Sequence, residues 1–338
     1  METQKIKIAV VVLNWNGKTL LEKFLPYLIK YSQEATIFVV DNASTDDSVE
    51  FTKSHFPTVT LILNSINGGY AKGYNDALKT IDAKYFVLIN SDIEVTDGWL
   101  TPIITLMDSD KKISACQPKI LDYNTKNTFE YAGASGGYID NLGYPLCRGR
   151  IFYNLEEDKG QYNDSTEVFW ATGACMFIRS KYFNEIGGLD EDFFAHQEEI
   201  DLCWRLKNKG YRIMVVPESE VYHVGGGTLN AGSSLKTYLN FRNNLKMLIK
   251  NLPLLSLFYV IPIRLLLDAV AAITFLKQKN GTSHFFAIIR AHFSVYFAIP
   301  KLITKRQKID QKNNLVGKMN YSVLIKNKLK GIKKFSDL

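Results

Sequence analysis

The sequence predicts an α/β fold built on a doubly wound, mostly parallel sheet, followed by a separate C-terminal helical region. Three observations carry that prediction. In the N-terminal part, short apolar runs rich in β-branched residues alternate with stretches of helical length. Polar, turn-prone residues follow each run, and two long apolar stretches with a basic end occupy the C-terminal part.

The runs Ile8 to Leu13, Thr36 to Val40, Val59 to Leu63 and Tyr85 to Ile89 read as buried strands, because uninterrupted apolar runs of that length suit strands covered on both faces. Between them, Thr19 to Lys30, Asp47 to Ser54 and Tyr74 to Ile81 have helical length and spacing, with Ser44, Thr45 and Asp46 offering caps. A sheet of this kind binds ligands beyond the carboxyl ends of its strands. The segments there are Asn14-Trp15-Asn16-Gly17, Asp41-Asn42-Ala43-Ser44, Asn64 to Gly69, and Asn90-Ser91-Asp92. Turn chemistry alone would account for any one of them; four at one edge point to a site. From Asp97 to about Asp164 the pattern weakens and Gly, Tyr and Asn accumulate, as in Tyr131 to Tyr138, which predicts an irregular segment beside the site. Regular patterning returns with Val168 to Arg179, a helix at Glu199 to Lys209 and a strand at Tyr211 to Val216.

The net charge of +7 is concentrated at one end: Lys301 to Leu338 holds eleven Lys or Arg against Asp310 and Asp337. The body is therefore not basic, and no nucleic-acid partner is expected. The four cysteines, Cys116, Cys147, Cys175 and Cys203, lack metal-finger or C-x-x-C spacing and read as buried thiols in a reducing compartment. Asn14 ends the first apolar run before it could serve as a signal-peptide core, so a cytoplasmic protein is expected.

The chemistry-bearing residues follow from position. Asp41 ends a buried strand, where a carboxylate can accept a hydrogen bond from N3–H of uracil or thymine; the alternative is a helix cap. No G-x-x-x-x-G-K-[ST] is present, and Gly68, Gly69 and Gly73 miss the dinucleotide spacing, which disfavours kinases and dehydrogenases. Asp92 suits a divalent cation on a diphosphate, which needs only one or two protein carboxylates; Glu94 is a weaker candidate. In Glu198-Glu199-Ile200-Asp201, neighbouring acids raise one another's pKa, so one can act as general base, and Glu199 is assigned that role. The helix dipole alone would also attract acids there. His223, beside Gly225-Gly226-Gly227, lies where backbone can approach a ligand, and neutral imidazole suits a metal or phosphate.

These stretches together resemble family 2 glycosyltransferases, in particular the bacterial rhamnosyltransferase-like branch that builds cell-surface polysaccharides. The resemblance rests on Val12 to Gly17, Val40 to Asp46, Asn67 to Asn75, Leu88 to Asp92, Thr172 to Met176, Glu198 to Arg205, and Val221-Tyr222-His223. It implies a GT-A fold, a UDP- or dTDP-sugar donor and a Mg2+ or Mn2+ ion. On matching positions it implies Asp41 as the pyrimidine-binding acid, Asn14, Lys72 and Asn75 at the donor, and Asp92 in the D-x-D position. It further implies Glu199 as base and His223 as a contact of metal or diphosphate. Two departures stand out: the metal motif is reduced to Asn90-Ser91-Asp92, and the usual Glu-Asp pair is Glu198-Glu199, which leaves either glutamate open as the base. The Q-x-x-R-W motif of processive synthases is absent.

Residues 252 to 276 are strongly apolar but carry Pro253, Pro262, Arg264 and Asp268, and a central charge costs about 3 kcal/mol on insertion. With the aromatic-rich stretch His284 to Ile303 and the basic tail, they predict an interfacial anchor on anionic lipid. A packed helical subdomain or a homodimer interface is the alternative. The expected organisation is a catalytic domain at 1–245 and a membrane-associating region at 246–338, with a chain ending near Leu245 staying soluble.

The expected function is inverting transfer of a sugar from a UDP- or dTDP-sugar, dTDP-rhamnose among them, to a hydroxyl of a cell-surface polysaccharide or lipid-linked glycan precursor. The enzyme would sit peripherally on the inner face of the cell membrane. A nucleotidyltransferase would need a basic, Gly-rich loop where Asn14-Trp15-Asn16-Gly17 stands, and a non-catalytic sugar-nucleotide-binding protein would have no use for Asp41, Asp92 and Glu199 together.

Overall fold

A computed structural model describes residues 6–225 and 232–338. β1 (Ile6–Asn14), α1 (Lys18–Lys30), β2 (Thr36–Asp41), α2 (Ser48–His55), β3 (Thr60–Leu63), α3 (Gly69–Leu78) and β4 (Ala83–Asn90) follow in the order read from the sequence. The four strands are parallel neighbours in the order β3-β2-β1-β4, with Asn14 opposite Asp41 and Leu13 opposite Asn90. Those registers bring the polar strand ends to one edge. Both faces are covered: Ile8, Val10 and Val12 pack with Leu21, Leu25 and Leu28 of α1, while Ala9 and Val11 pack with Ala71, Tyr74 and Ala77 of α3. This two-sided burial is why the strands read as continuous apolar runs.

β5 (Ile93–Val95) precedes the stretch expected to be irregular, and α4 (Thr101–Ser109) and β6 (Ile113–Asp122) make its first part regular. Beyond Asp122 this stretch is mostly turns and loops, broken only by a small antiparallel sheet of short strands, β7 (Gly137–Ile139), β8 (Pro145–Cys147), β9 (Arg150–Ile151) and β10 (Asn154–Leu155). β6 lies in the middle of the main sheet, but Ser114, Gln117 and Lys119 interrupt its apolar pattern. Their partners come from distant parts of the chain. Ser114 Oγ donates to the Arg212 carbonyl (3.1 Å), Gln117 Oε1 accepts from Thr172 N–H (3.0 Å), and Lys119 pairs with Asp158 (2.6 Å) and Glu220 (3.0 Å).

β11 (Thr166–Val168), β12 (Cys175–Arg179), α5 (Ser180–Glu185), α6 (Glu198–Asn208) and β13 (Arg212–His223) complete the domain. β12 runs antiparallel between β4 and β6, β13 parallel to β6, and β5 and β11 antiparallel on β13, making a nine-stranded mixed sheet. All four cysteines are buried and free.

α7 (Ser234–Asn251) runs through the boundary expected at 245 and belongs to the core. Met247 and Leu248 pack in the cluster that holds Trp204, Asn251 donates to Asp201 Oδ1 (2.8 Å), and Lys250 pairs with Asp190 (2.5 Å) and Asp201 (2.8 Å). The boundary expected at 245 therefore falls inside a helix that packs on the domain. Cutting there takes Lys250 from both carboxylates, leaving Asp201 with Arg205 (2.8 Å) and Asp190 without its cations, since Lys305 goes too, a loss of about 3–5 kcal/mol against a total stability of about 5–15 kcal/mol. Residues 1–245 expressed alone are expected to aggregate; a soluble product with a cooperative melt would refute this.

α8 (Leu254–Phe275), α9 (Gly281–Arg306) and α10 (Val323–Lys330) follow. Among the described residues, α8 and α9 are long and apolar enough to cross a membrane by length and composition. The charges expected to interrupt α8 do not reach its outer face. Val260, Arg264, Asp268 and Ala272, four residues apart, are all buried, and Arg264 donates to the Leu142 carbonyl (2.9 Å) and Asn244 Oδ1 (2.5 Å). Leu255 and Phe258 on the opposite side are 80% and 73% exposed, and α8 continues through Pro262. The basic tail likewise packs back on the domain. Val323 N–H donates to Asp140 (2.9 Å), Phe335 meets Tyr138 at a tilt and Tyr162 edge-on, and Lys301 and Lys305 pair with Asp190 and Asp192; Lys328, Lys330, Lys333 and Lys334 remain exposed.

Candidate active site

At the edge formed by β1 and β2, buried Asn14 donates through Nδ2 to Asp41 Oδ1 (3.2 Å) and to Ser44 Oγ (3.3 Å). Ser44 N–H donates back to Asp41 Oδ2 (2.9 Å), a turn that takes Ala43 to a φ of 61°. Asn14 Oδ1 is buried with no partner. Asp41 is not a helix cap, since α2 begins after Asp47, so the competing reading of this acid falls away.

At the end of β4, Asp92 is buried beside His223, with Nε2 3.1 Å from Asp92 Oδ1 and Nδ1 3.1 Å from Glu130 Oε2. The pairing of β5 with β13 sets this contact by placing His223 opposite Ile93. Burial pushes the imidazole down, but the two carboxylates outweigh it and raise its pKa to about 10; burial pushes Asp92 up, and the bond to His223 outweighs that, leaving it below the usual carboxylate range. A carboxylate, an imidazole and a second carboxylate in one buried row carry net negative charge, which a cation can satisfy. Among the described residues no three His, Cys, Asp or Glu side chains converge as a ligand set. The donor set fits an ion that takes Asp92 and completes its shell with phosphate oxygens and water, with His223 joining it on giving up the proton it holds between the two carboxylates. Glu94 turns instead to Lys126 (2.7 Å), and Gly226 and Gly227 lie outside the described residues.

The acid cluster opens α6. Before it, Phe194, His196 and Gln197 take φ values of 66°, 70° and 71°. Ala174 accepts from Asn90 N–H (2.9 Å), and Gly173 accepts from the Tyr70 hydroxyl (2.6 Å), so residues 172–174 tie the Asp92 loop to this region. Gly173 is required there. A Cβ on it would come 2.8 Å from the Tyr70 hydroxyl and 3.6 Å from Glu199 Cβ.

The acids have three different environments. Asp201 is pushed up by burial, but Lys250 and Arg205 outweigh this and hold it low. Glu198 is buried with Oε2 unpartnered, and burial together with Glu199 pushes it well above the usual range. Glu199, partly exposed, is raised by burial to about 7, with backbone amides of its own turn limiting the rise. Asp201 is thus held as an ion by Lys250 and Arg205, while Glu198 and Glu199 both bind a proton more tightly than an ordinary glutamate, Glu199 near neutrality.

Lys72 and Asn75 lie on α3, whose Gly69 carbonyl accepts from Asn42 Nδ2 (3.1 Å) beside Asp41, and both side chains have protein partners. Asn75 donates to the Leu189 carbonyl (2.8 Å) and accepts from Leu189 N–H (3.0 Å), and Lys72 pairs with Asp76 (2.7 Å). Both side chains fasten α3 or its neighbours, because the helix begins at Gly69, earlier than the expected Tyr74, and turns these positions toward the 187–191 segment. Glu130 and Tyr70 were not singled out from sequence. The sign for Glu130 was a lone acid at the head of the Gly- and Tyr-rich stretch 131–138.

A mixed, mostly parallel sheet whose strand ends gather these groups is that of a transferase of the GT-A fold. The model of glycosyl transferase family 2 matches residues 9–187, more than half of the chain, and the chain belongs to that family. It is 24% identical over 235 residues to an N-acetylglucosaminyl-diphospho-decaprenol L-rhamnosyltransferase of Mycobacterium tuberculosis (strain CDC 1551 / Oshkosh), covering 64% of this chain and 75% of the relative. It is 23% identical over 228 residues to rhamnosyltransferase WbbL of Escherichia coli (strain K12), covering 64% and 83%. Its fold is similar to a crystal structure of GalNAc-T7 with UDP, GalNAc and Mn2+, at a TM-score of 0.58 and 15% identity. That match covers 74% of this chain and 49% of the other, so the chain spans about half of that protein's length.

Proposed function

We propose that this glycosyltransferase moves a sugar, rhamnose among the candidates, from a UDP- or dTDP-sugar to a hydroxyl of a cell-surface polysaccharide or lipid-linked glycan precursor, with inversion. The observation that carries the reading is Glu199, raised to about 7 beside Gly173, whose neighbour Ala174 accepts from Asn90 N–H at the strand end that leads to Asp92. Asp41 accepts the pyrimidine N3–H, and Asn14 holds that carboxylate in place. A divalent cation, Mg2+ or Mn2+, bound by Asp92 and His223 would neutralise charge on the departing diphosphate. Glu199 takes the proton of the acceptor hydroxyl as its oxygen bonds to the anomeric carbon on the face opposite the breaking bond. Burial and Glu199 favour the protonated form of Glu198, which spares Glu199 a second charge at its side. Donor-screened product analysis tests this: transfer from a UDP- or dTDP-sugar supports it, while pyrophosphate release from a nucleoside triphosphate would favour a nucleotidyltransferase.

The outer faces of α8 and α9 support a seat on the cytoplasmic surface of the membrane, lying along it, since α8 packs on the domain along its length through residues 260–272. The M. tuberculosis relative's lipid-linked acceptor fits such a location. Full-length protein is expected to float with phosphatidylglycerol vesicles and to bind less at high salt, as exposed charges are screened over about 8–10 Å. Concentration-dependent dimers that ignore vesicles would instead assign the apolar faces to a second copy of the chain.

A further inference from the structure

Resting on the transfer reaction proposed above, we infer that Asn243, assisted by Arg242, is a positioning residue that holds the loop before α6 in the shape that aims Glu199. In sequence, Arg242-Asn243-Asn244 is a polar run in a helix whose neighbours Leu239, Leu245 and Leu248 are buried. Asn243 is itself fully buried, and a primary amide there needs partners. Its Nδ2 lies 3.0 Å from the Phe193 carbonyl, 2.8 Å from that of Ala195 and 2.8 Å from that of His196. Three carbonyls of one short segment converge on a single donor group, an arrangement that lets their dipoles oppose one another unless the amide stays between them.

The rest of the clamp fixes the amide. Arg242 Nε donates to Asn243 Oδ1 (2.9 Å), which orients Nδ2 toward the loop, and Arg242 Nη2 donates to the Phe193 carbonyl (2.8 Å). Asn244 Nδ2 donates to Gln197 Oε1 (2.9 Å). The loop needs outside support because Phe194, His196 and Gln197 all occupy the left-handed region, which side chains rarely adopt. Its far end is the turn that carries Glu198 and Glu199, and its near end is met by Tyr70 N–H on the Phe194 carbonyl (2.7 Å). None of the recorded hydrogen bonds or ion pairs of Asn243 involves a carboxylate of the cluster, so its action is through the backbone.

The test compares full-length wild type, Asn243→Ala and Asn243→Ser, the last keeping one short hydroxyl donor. Asn243→Ala is expected to lower kcat about 30-fold or more while donor KM and calorimetric affinity for UDP or dTDP with Mn2+ change less than about threefold. Asn243→Ser is expected to recover part of the loss, with kcat down about tenfold. If the alanine variant does not fold, the serine variant decides alone. Unchanged kcat in a folded variant overturns the inference, as does a fall of kcat and nucleotide affinity together in step with the folded fraction seen by melting. A wild-type enzyme that transfers no sugar from any nucleotide-sugar would overturn the underlying reading, and the inference with it.

Discussion

Asp92→Asn is expected to abolish sugar transfer, lowering kcat by about 10³-fold or more, the several kcal/mol a bound ion contributes to a departing diphosphate. The structure makes the change specific. Asp92 is buried, its Oδ1 faces His223 at 3.1 Å, and the backbone of the same residue accepts from Val224 N–H, so an isosteric amide keeps the packing while removing the charge. The loss should be accompanied by disappearance of the Mn2+-dependent rise in melting temperature with UDP or dTDP, and EDTA should reproduce it in wild type. A folded Asp92→Asn enzyme with the wild-type rate would remove this residue from the site.

Glu199→Gln should lower turnover by about 10²-fold or more while donor affinity is retained, since a general base acts on the acceptor and not on the nucleotide. Glu198→Gln should be milder, because burial and Glu199 already favour the protonated form of that side chain. The opposite ranking would exchange the two roles. The base must be ionised to work, so the rate should rise with pH and reach half its plateau near 7, where an ordinary glutamate would do so near about 4.3. The groups facing Glu199 are Glu198 on its own turn, Tyr70 from α3, Cys147 from β8 and Cys203 from α6, and none supplies a positive charge that would draw the limb down. Stability moves the other way. Both glutamates bind protons more tightly folded than unfolded, so their contribution is fully present below the unfolded pKa and is lost as pH rises through the folded one. Activity and melting temperature measured across pH 5 to 8 should therefore diverge as far as these two groups control them.

Much of this site was legible in sequence because its signals are local. A strand covered on both faces shows as an apolar run, and the residue that ends the run is placed by chain geometry alone, which is how Asn14, Asp41 and Asp92 were found. Three acids opening a helix are equally visible, though not their division of labour. That division depends on Lys250 and Arg205 reaching Asp201, while Glu198 and Glu199 each keep a buried Oε2 without a partner. The protein partners of Lys72 and Asn75, Asp76 and Leu189, were not legible, since Leu189 lies over a hundred residues from Asn75 in the chain.

By itself the sequence determined the alternating strands and helices, the polar edge, the acid cluster and the apolar C-terminal helices, since each follows from hydrophobic period or from residue type at a strand or helix end. Only the tertiary structure decided which polar residues have partners. It placed β6 inside the sheet despite Gln117 and Lys119, set Glu130 against His223, made α7 part of the catalytic core, and turned Arg264 and Asp268 inward beneath an apolar face. The physical reason is the same in each case: burying a polar group is costly unless another group meets it. That second group lies far away in the chain, where no local pattern can announce it.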